Sequence, residues 1–187
     1  KEISSDKKEI CVSRSFGYPL DSLEELNQVI SSYVLIASAK LRRNNQLCSA
    51  IKIFMRTNIH SKDFFESEGT EKLIIPNSDP KRILKISLAL TRKIFKPYKK
   101  FTKAGVIFNQ LQSNSYKQMS LFNKKDIKEE LNLERLINLI ENINNKNGKN
   151  ILGWGSSIIK KDWMPRKEKL SYLKTTTLES IPTVFAK

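Results

Sequence analysis

The chain has 187 residues, room for one or two domains, and its 39% hydrophobic content is enough for a core. No run approaches the ~18 apolar residues that a membrane span needs, and Lys1-Glu2-Ile3-Ser4-Ser5-Asp6 lacks the apolar region of a signal peptide, so a cytoplasmic protein with no membrane partner is expected. A net charge of +15, from 34 Lys and Arg against 19 Asp and Glu, favours a polyanionic partner and supplies affinity for phosphates rather than sequence specificity.

Residues 9–16 read as a strand, with Ile10, Val12 and Phe16 alternating with shorter residues, and Gly17-Tyr18-Pro19 is expected to break it. Ser22-Leu23-Glu24-Glu25 fits a capping box. The helix behind it carries Leu23, Leu26, Ile30, Tyr33, Ala37 and Leu41 on one face and ends near Arg43-Asn44-Asn45. Residues 49–58 alternate as a second strand, with Ile51, Ile53 and Met55 on one side and Lys52, Phe54 and Arg56 on the other. A loop over 59–70 and a third strand over 71–76 follow. Asp79 and Pro80 start a second helix whose face is Ile83, Leu84, Ser87, Leu88, Thr91, Ile94 and Phe95, and Pro97 ends it. A fourth strand spans 101–111, with Ala104, Val106 and Phe108 on one side.

The order β-α-β-β-α-β is the split βαβ pattern of an α+β fold: a four-stranded sheet with two helices on one face. The other face is expected to be free, carrying Arg14, Lys52, Arg56 and Lys103 as a platform for a duplex backbone. A further helix over about 127–144 has the stripe Leu133, Leu136, Ile137, Ile140 and Ile143, and Asn147-Gly148 is a good C-cap. The rest of the C-terminal extension is basic and partly irregular, with aromatic islands at Gly153-Trp154-Gly155 and Trp163-Met164.

Catalytic chemistry is poorly provided for. Glu24-Glu25 and Glu129-Glu130 are adjacent pairs on helices, where neighbours diverge. Asp63, Glu66, Glu68 and Glu71 are the one set of carboxylates that could meet around a metal ion. No glycine-rich phosphate loop is present, and the lone His60 has no partner nucleophile. With one histidine and two cysteines, a zinc site is not expected. Cys11 and Cys48 lie in apolar surroundings and read as two buried thiols in a reducing compartment, with a disulfide left open.

Gln118-Met119-Ser120-Leu121-Phe122 reads Q-φ-x-L-F, where φ is a larger apolar residue. A glutamine amide that both donates and accepts, followed by three large apolar side chains, suits insertion into a preformed groove on a partner. The plainer reading is a short anchor on the chain's own domain.

These pieces fall in an order that is similar to a known family. Cys11-Val12-Ser13-Arg14-Ser15-Phe16-Gly17, Phe54-Met55-Arg56-Thr57-Asn58 and Lys103-Ala104-Gly105-Val106 resemble strands of the little finger domain of Y-family translesion DNA polymerases, closest to the UmuC type. Gln118 to Phe122 resembles that type's sliding-clamp-binding peptide. Trp163-Met164-Pro165-Arg166, Leu170-Ser171, Thr175-Thr176 and Ile181-Pro182-Thr183-Val184 resemble its C-terminal extension. Ser171-Tyr172-Leu173-Lys174 departs from the proline and arginine usual after that serine, which bears on the local conformation of the extension.

The resemblance implies a division into a DNA-gripping domain at 1–114, a linker with the clamp motif at 115–124, and a UmuC-type extension at 125–187. The first residue is lysine, not methionine, and a piece of a longer protein is expected, with the polymerase palm and its Mg²⁺ before residue 1 and no catalytic residue, cofactor or metal in this stretch. Such a piece would be inactive alone, within a parent that acts in SOS mutagenesis and DNA repair at the bacterial nucleoid. Ser13, Arg14, Ser15, Lys52, Arg56, Thr57, Asn58, Lys99, Lys100 and Lys103 would contact primer–template phosphates. Gln118, Met119, Leu121 and Phe122 would hold the sliding clamp, and UmuD′ and RecA would be partners of the tail. The alternative is a stand-alone nucleic-acid-binding module without a polymerase partner. An RNA-binding sheet would need exposed aromatics on its central strands, and Phe54 is the one candidate on that face.

Overall fold

Period-two alternation in four segments and a 3.6-residue period in two others produce one sheet covered on one side by two helices. The computed structural model describes residues 8–114, the helix at 127–147, and residues 152, 155, 163 and 164. In chain order the elements are β1 (Ile10–Leu20), α1 (Leu23–Arg43), β2 (Gln46–Arg56), β3 (Glu66–Asn77), α2 (Pro80–Ile94), β4 (Phe101–Ser113) and α3 (Ile127–Asn147). The sheet order is β1-β4-β2-β3 and every neighbouring pair is antiparallel. Each helical crossover therefore skips one strand, which is the split arrangement that the element order implies.

Local chemistry sets the helix ends. Ser22 accepts a hydrogen bond from the Glu24 amide at 3.2 Å and caps α1. Asp79 accepts from the Lys81 amide at 2.8 Å, and Pro80 occupies the first turn of α2, where no amide is needed. Asn45 takes a left-handed φ of 51° between α1 and β2, a conformation that asparagine tolerates, and its carbonyl accepts from the Asn114 amide at 2.9 Å.

The core lies between sheet and helices. Ile51, Ile53 and Met55 of β2 and Ala104, Val106 and Phe108 of β4 are fully buried against Leu26, Ile30, Tyr33, Ala37 and Leu41 of α1 and Ile83, Leu90 and Ile94 of α2. Leu90 was not among the residues expected on the α2 face. Gly69 is required beneath it, because a Cβ there would stand 2.9 Å from Ile94 Cγ2 and 3.3 Å from Leu90 Cδ2.

Several expectations change. β1 does not stop at Gly17: it runs to Leu20, but its ladder with β4 shifts between Ser15 and Leu20. The Gly17 amide donates to the Trp163 carbonyl at 2.8 Å. β3 begins at Glu66 rather than after residue 70, because pairing with β2 draws Glu66 to Thr70 into register opposite Arg56 to Lys52. On α3, Ile137 is buried but Leu136 is 47% exposed, so that stripe is narrower than its periodicity suggests. Cys48 is buried and Cys11 is exposed; both are free thiols. Burial pushes the Cys48 thiol up to about 12, which keeps it protonated near neutral pH.

The extension is joined to the domain. Trp163 is 5% exposed within the core, its ring edge-on to Phe16 (6.2 Å between centroids) and to Tyr33 (5.8 Å). Arg42 of α1 forms an ion pair with Glu141 of α3 and also donates to the Ser78 carbonyl at 3.2 Å. Asn144 exchanges two hydrogen bonds with the backbone of Leu152.

Candidate nucleic-acid interface

The register fixes which side chains share the sheet face turned away from α1 and α2, because directly paired residues point to the same side. Three rows run across it. Ser15, Lys103, Arg56 and Glu66 form one, and Ser13, Gly105, Phe54 and Glu68 form the next. Cys11, Ile107, Lys52 and Thr70 form the third. Hydroxyls lie on β1, cations on β4 and β2, and carboxylates on β3.

Glycine is needed at the centre of this face. A Cβ on Gly105 would stand 2.5 Å from Phe54 Cε1 and 2.6 Å from Ser13 Cβ. The Phe54 ring therefore lies over the Gly105 backbone, against Ser13. Gly105→Ala is expected to destabilise the domain by about 1–3 kcal/mol, because the ring and the β1 strand must both give way; urea unfolding followed by circular dichroism measures it. An unchanged midpoint would mean that the Phe54 ring swings aside freely.

Arg14 departs from its expected place. It pairs with Ala104, a buried residue of the helix-covered face, so its side chain leaves β1 on the helix side. There it stands close enough to Tyr33 to act on its titration: burial pushes the Tyr33 phenol well up, and the Arg14 charge partly opposes that. Strand alternation is the reason, since Ser13 and Ser15 take the open face and Arg14 cannot share it.

The remaining candidates divide by how free they are. Arg56 and Lys103 are half-buried neighbours on the open face, with no ion pair among the described residues. Lys52 pairs with Glu68, Nζ to Oε2, at 2.6 Å. Thr57 is buried, and its hydroxyl is occupied: it donates to the Phe65 carbonyl at 3.3 Å and accepts from the Phe65 amide at 2.8 Å. Asn58 is exposed, and its Oδ1 accepts from the His60 amide at 3.0 Å. Lys99 holds its ammonium 5.7 Å from the centre of the Phe65 ring, a cation–π distance, and Lys100 is exposed beside it. Among the described residues, no three carboxylate, histidine or cysteine side chains gather as a metal site. Glu66 and Glu68 face the open side while Glu71, paired with Ile51, faces the helices. Gln118, Met119, Leu121 and Phe122 lie outside the described residues. No described helix is long and apolar enough to cross a membrane.

Sequence reasoning did not identify Trp163 as a core residue, nor the carboxylates that end the rows. The first signal was a tryptophan in a basic stretch with no periodicity around it. The second was present in Glu66-Ser67-Glu68 but needed the strand's true start to be seen.

A small split α+β domain with one hydroxyl- and cation-bearing sheet face turned away from α1 and α2 defines the class. Residues 7–121 match the model of the impB/mucB/samB family C-terminal domain, and residues 134–184 match a domain of unknown function, DUF4113. The chain belongs to the impB/mucB/samB family. It is 32% identical to Protein MucB of Escherichia coli over 94% of its length and 28% identical to Protein UmuC of Salmonella typhimurium over the same share. It spans about two fifths of those relatives, 41% and 42%. The little finger domain of PolIV, solved in complex with the beta-clamp processivity factor, superposes with a TM-score of 0.42 at 14% identity, covering 62% of this chain and 99% of that one.

Proposed function

We propose that the chain is the DNA-gripping and clamp-tethering C-terminal part of an error-prone Y-family translesion polymerase acting in SOS mutagenesis and DNA repair. The observation that carries this reading is the row Ser15–Lys103–Arg56, with Ser13 beside it, on the sheet face turned away from α1 and α2 in a chain of this family. Serine hydroxyls, an ammonium and a guanidinium suit phosphate oxygens and carry no base information. A grip of this kind accepts damaged and undamaged templates alike, and it weakens as salt rises.

The grip would be supplemented by the peptide at Gln118–Phe122, which holds a sliding clamp and raises the effective concentration of the polymerase on DNA without tightening the DNA contact itself. The active carboxylates and their Mg²⁺ would belong to the rest of the parent protein, working on the nucleoid in the bacterial cytoplasm. UmuD′ and RecA are the partners proposed for the extension.

The test is binding of this chain to the bacterial sliding clamp beside a Leu121→Ala, Phe122→Ala variant. Binding by the unaltered chain and its loss in the variant are expected, with unchanged circular dichroism. Absence of binding by the unaltered chain would remove the clamp from the proposal.

A further inference from the structure

We infer that Glu68 limits the DNA footprint on this sheet by withholding Lys52 from the phosphate backbone, so that a duplex rests on β1, β4 and the Arg56 end of β2 and is kept off β3. This rests on the reading of the open face as the DNA surface.

Each of the first two rows ends on β3 in a carboxylate, Glu66 opposite Arg56 and Glu68 opposite Phe54. The cations of the face are not equivalent. Arg56 and Lys103 carry no ion pair among the described residues, whereas the Lys52 ammonium lies 2.6 Å from Glu68. Side-chain exposure is 29% for Lys52 and 56% for Glu68, so the pair presents its negative member outward. To a phosphate arriving over β2, that corner offers a carboxylate first.

Distances make the effect local. β3 stands two strand spacings, roughly 10 Å, from β4, about one Debye length at 0.1 M salt. The carboxylates therefore act on phosphates above β2 and hardly at all on those above β1. A lysine already neutralised by a carboxylate also displaces no counterion from DNA, so it adds nothing to the salt dependence of binding. One side of the sheet is thereby tuned for a weak, reversible grip.

The experiment measures affinity of the full 187-residue chain for a fluorescent primer–template duplex across a salt series. The variants are Glu68→Gln, Glu71→Gln, Lys52→Met, the Lys52→Met/Glu68→Gln pair, and Arg56→Ala/Lys103→Ala. Glu71→Gln makes the same change of net charge on the helix-covered side of the same strand. Glu68→Gln is expected to tighten binding several-fold and to steepen the logarithmic salt slope by about 0.9, one further phosphate contact. Glu71→Gln should do much less, and most of the gain should be lost when Lys52 is methionine, leaving only the relief of carboxylate–phosphate repulsion. Equal gains from Glu68→Gln and Glu71→Gln would reduce the effect to net charge and overturn the inference, as would an undiminished gain in the Lys52→Met background. No gain, while Arg56→Ala/Lys103→Ala weakens binding, would overturn it and leave the DNA face standing. No effect of any variant would remove the DNA face itself, and the inference with it.

Discussion

Trp163→Ala is expected to destabilise the protein by about 3–5 kcal/mol, the range for deleting a large buried aromatic side chain. The residue lies far along the chain from the sheet, yet it belongs to the same core as Ile10, Val12, Tyr33 and Val106. Its ring meets Phe16 and Tyr33 edge-on, and aromatic pairs of this geometry are worth about 0.5–1.5 kcal/mol each beyond the area they bury. Its carbonyl takes the Gly17 amide where the β1 ladder shifts register. Deleting the ring would open a void beside Tyr33, whose hydroxyl is buried without a hydrogen-bond partner among the described residues. Urea unfolding followed by far-ultraviolet circular dichroism should show a lower midpoint at an unchanged slope. Trp163→Phe should lose less, because it keeps an edge-on ring. Hydrogen exchange gives an independent reading: the Gly17 amide should lose protection in Trp163→Ala. If the sheet unfolds at the original midpoint, Trp163 merely covers the domain and does not help build it.

That contact also marks where sequence reading stops. Alternation over Ile51 to Arg56 and Ala104 to Phe108 identified both central strands and their buried sides, because a strand covered on one face repeats its chemistry every second residue. Ser22 and Asp79 marked helix starts, because a cap is a local interaction. Arg14 lies on the helix side because it shares the parity of Val12, a constraint that its charge alone does not reveal. Glu66 to Thr70 looked like a loop because an edge strand with one open face need not be apolar, and only pairing with β2 shows it. The docking of Trp163 involves two segments separated by more than a hundred residues, and no local pattern encodes it. Of the candidate site, residue types were legible; which cations are free and which is held by Glu68 was not.

Arg56→Ala with Lys103→Ala should weaken primer–template binding on the order of tenfold at ~0.1 M salt, with each exposed contact contributing about 1 kcal/mol or less and 1.4 kcal/mol corresponding to tenfold. The more telling quantity is the slope of log affinity against log salt. Each lost phosphate contact should flatten it by about 0.9, so the pair should flatten it by about 1.8. The two residues are direct partners across β2 and β4, with Ser15 beside Lys103, so one stretch of backbone can meet all three. Neither has an ion pair among the described residues, so their removal strands no carboxylate, and the thermal midpoint should stay nearly fixed. Arg14→Ala is the internal control: the same charge is lost from the neighbouring position on β1, but on the face that α1 covers. It should leave the slope close to that of the unaltered chain. Equal flattening by Arg14→Ala and Arg56→Ala would mean that DNA responds to net charge rather than to this face. A flattening confined to Arg56 and Lys103 would tie the grip to the side of the sheet turned away from α1 and α2, whatever bases lie above it, since neither side chain needs to read a base edge to hold a phosphate.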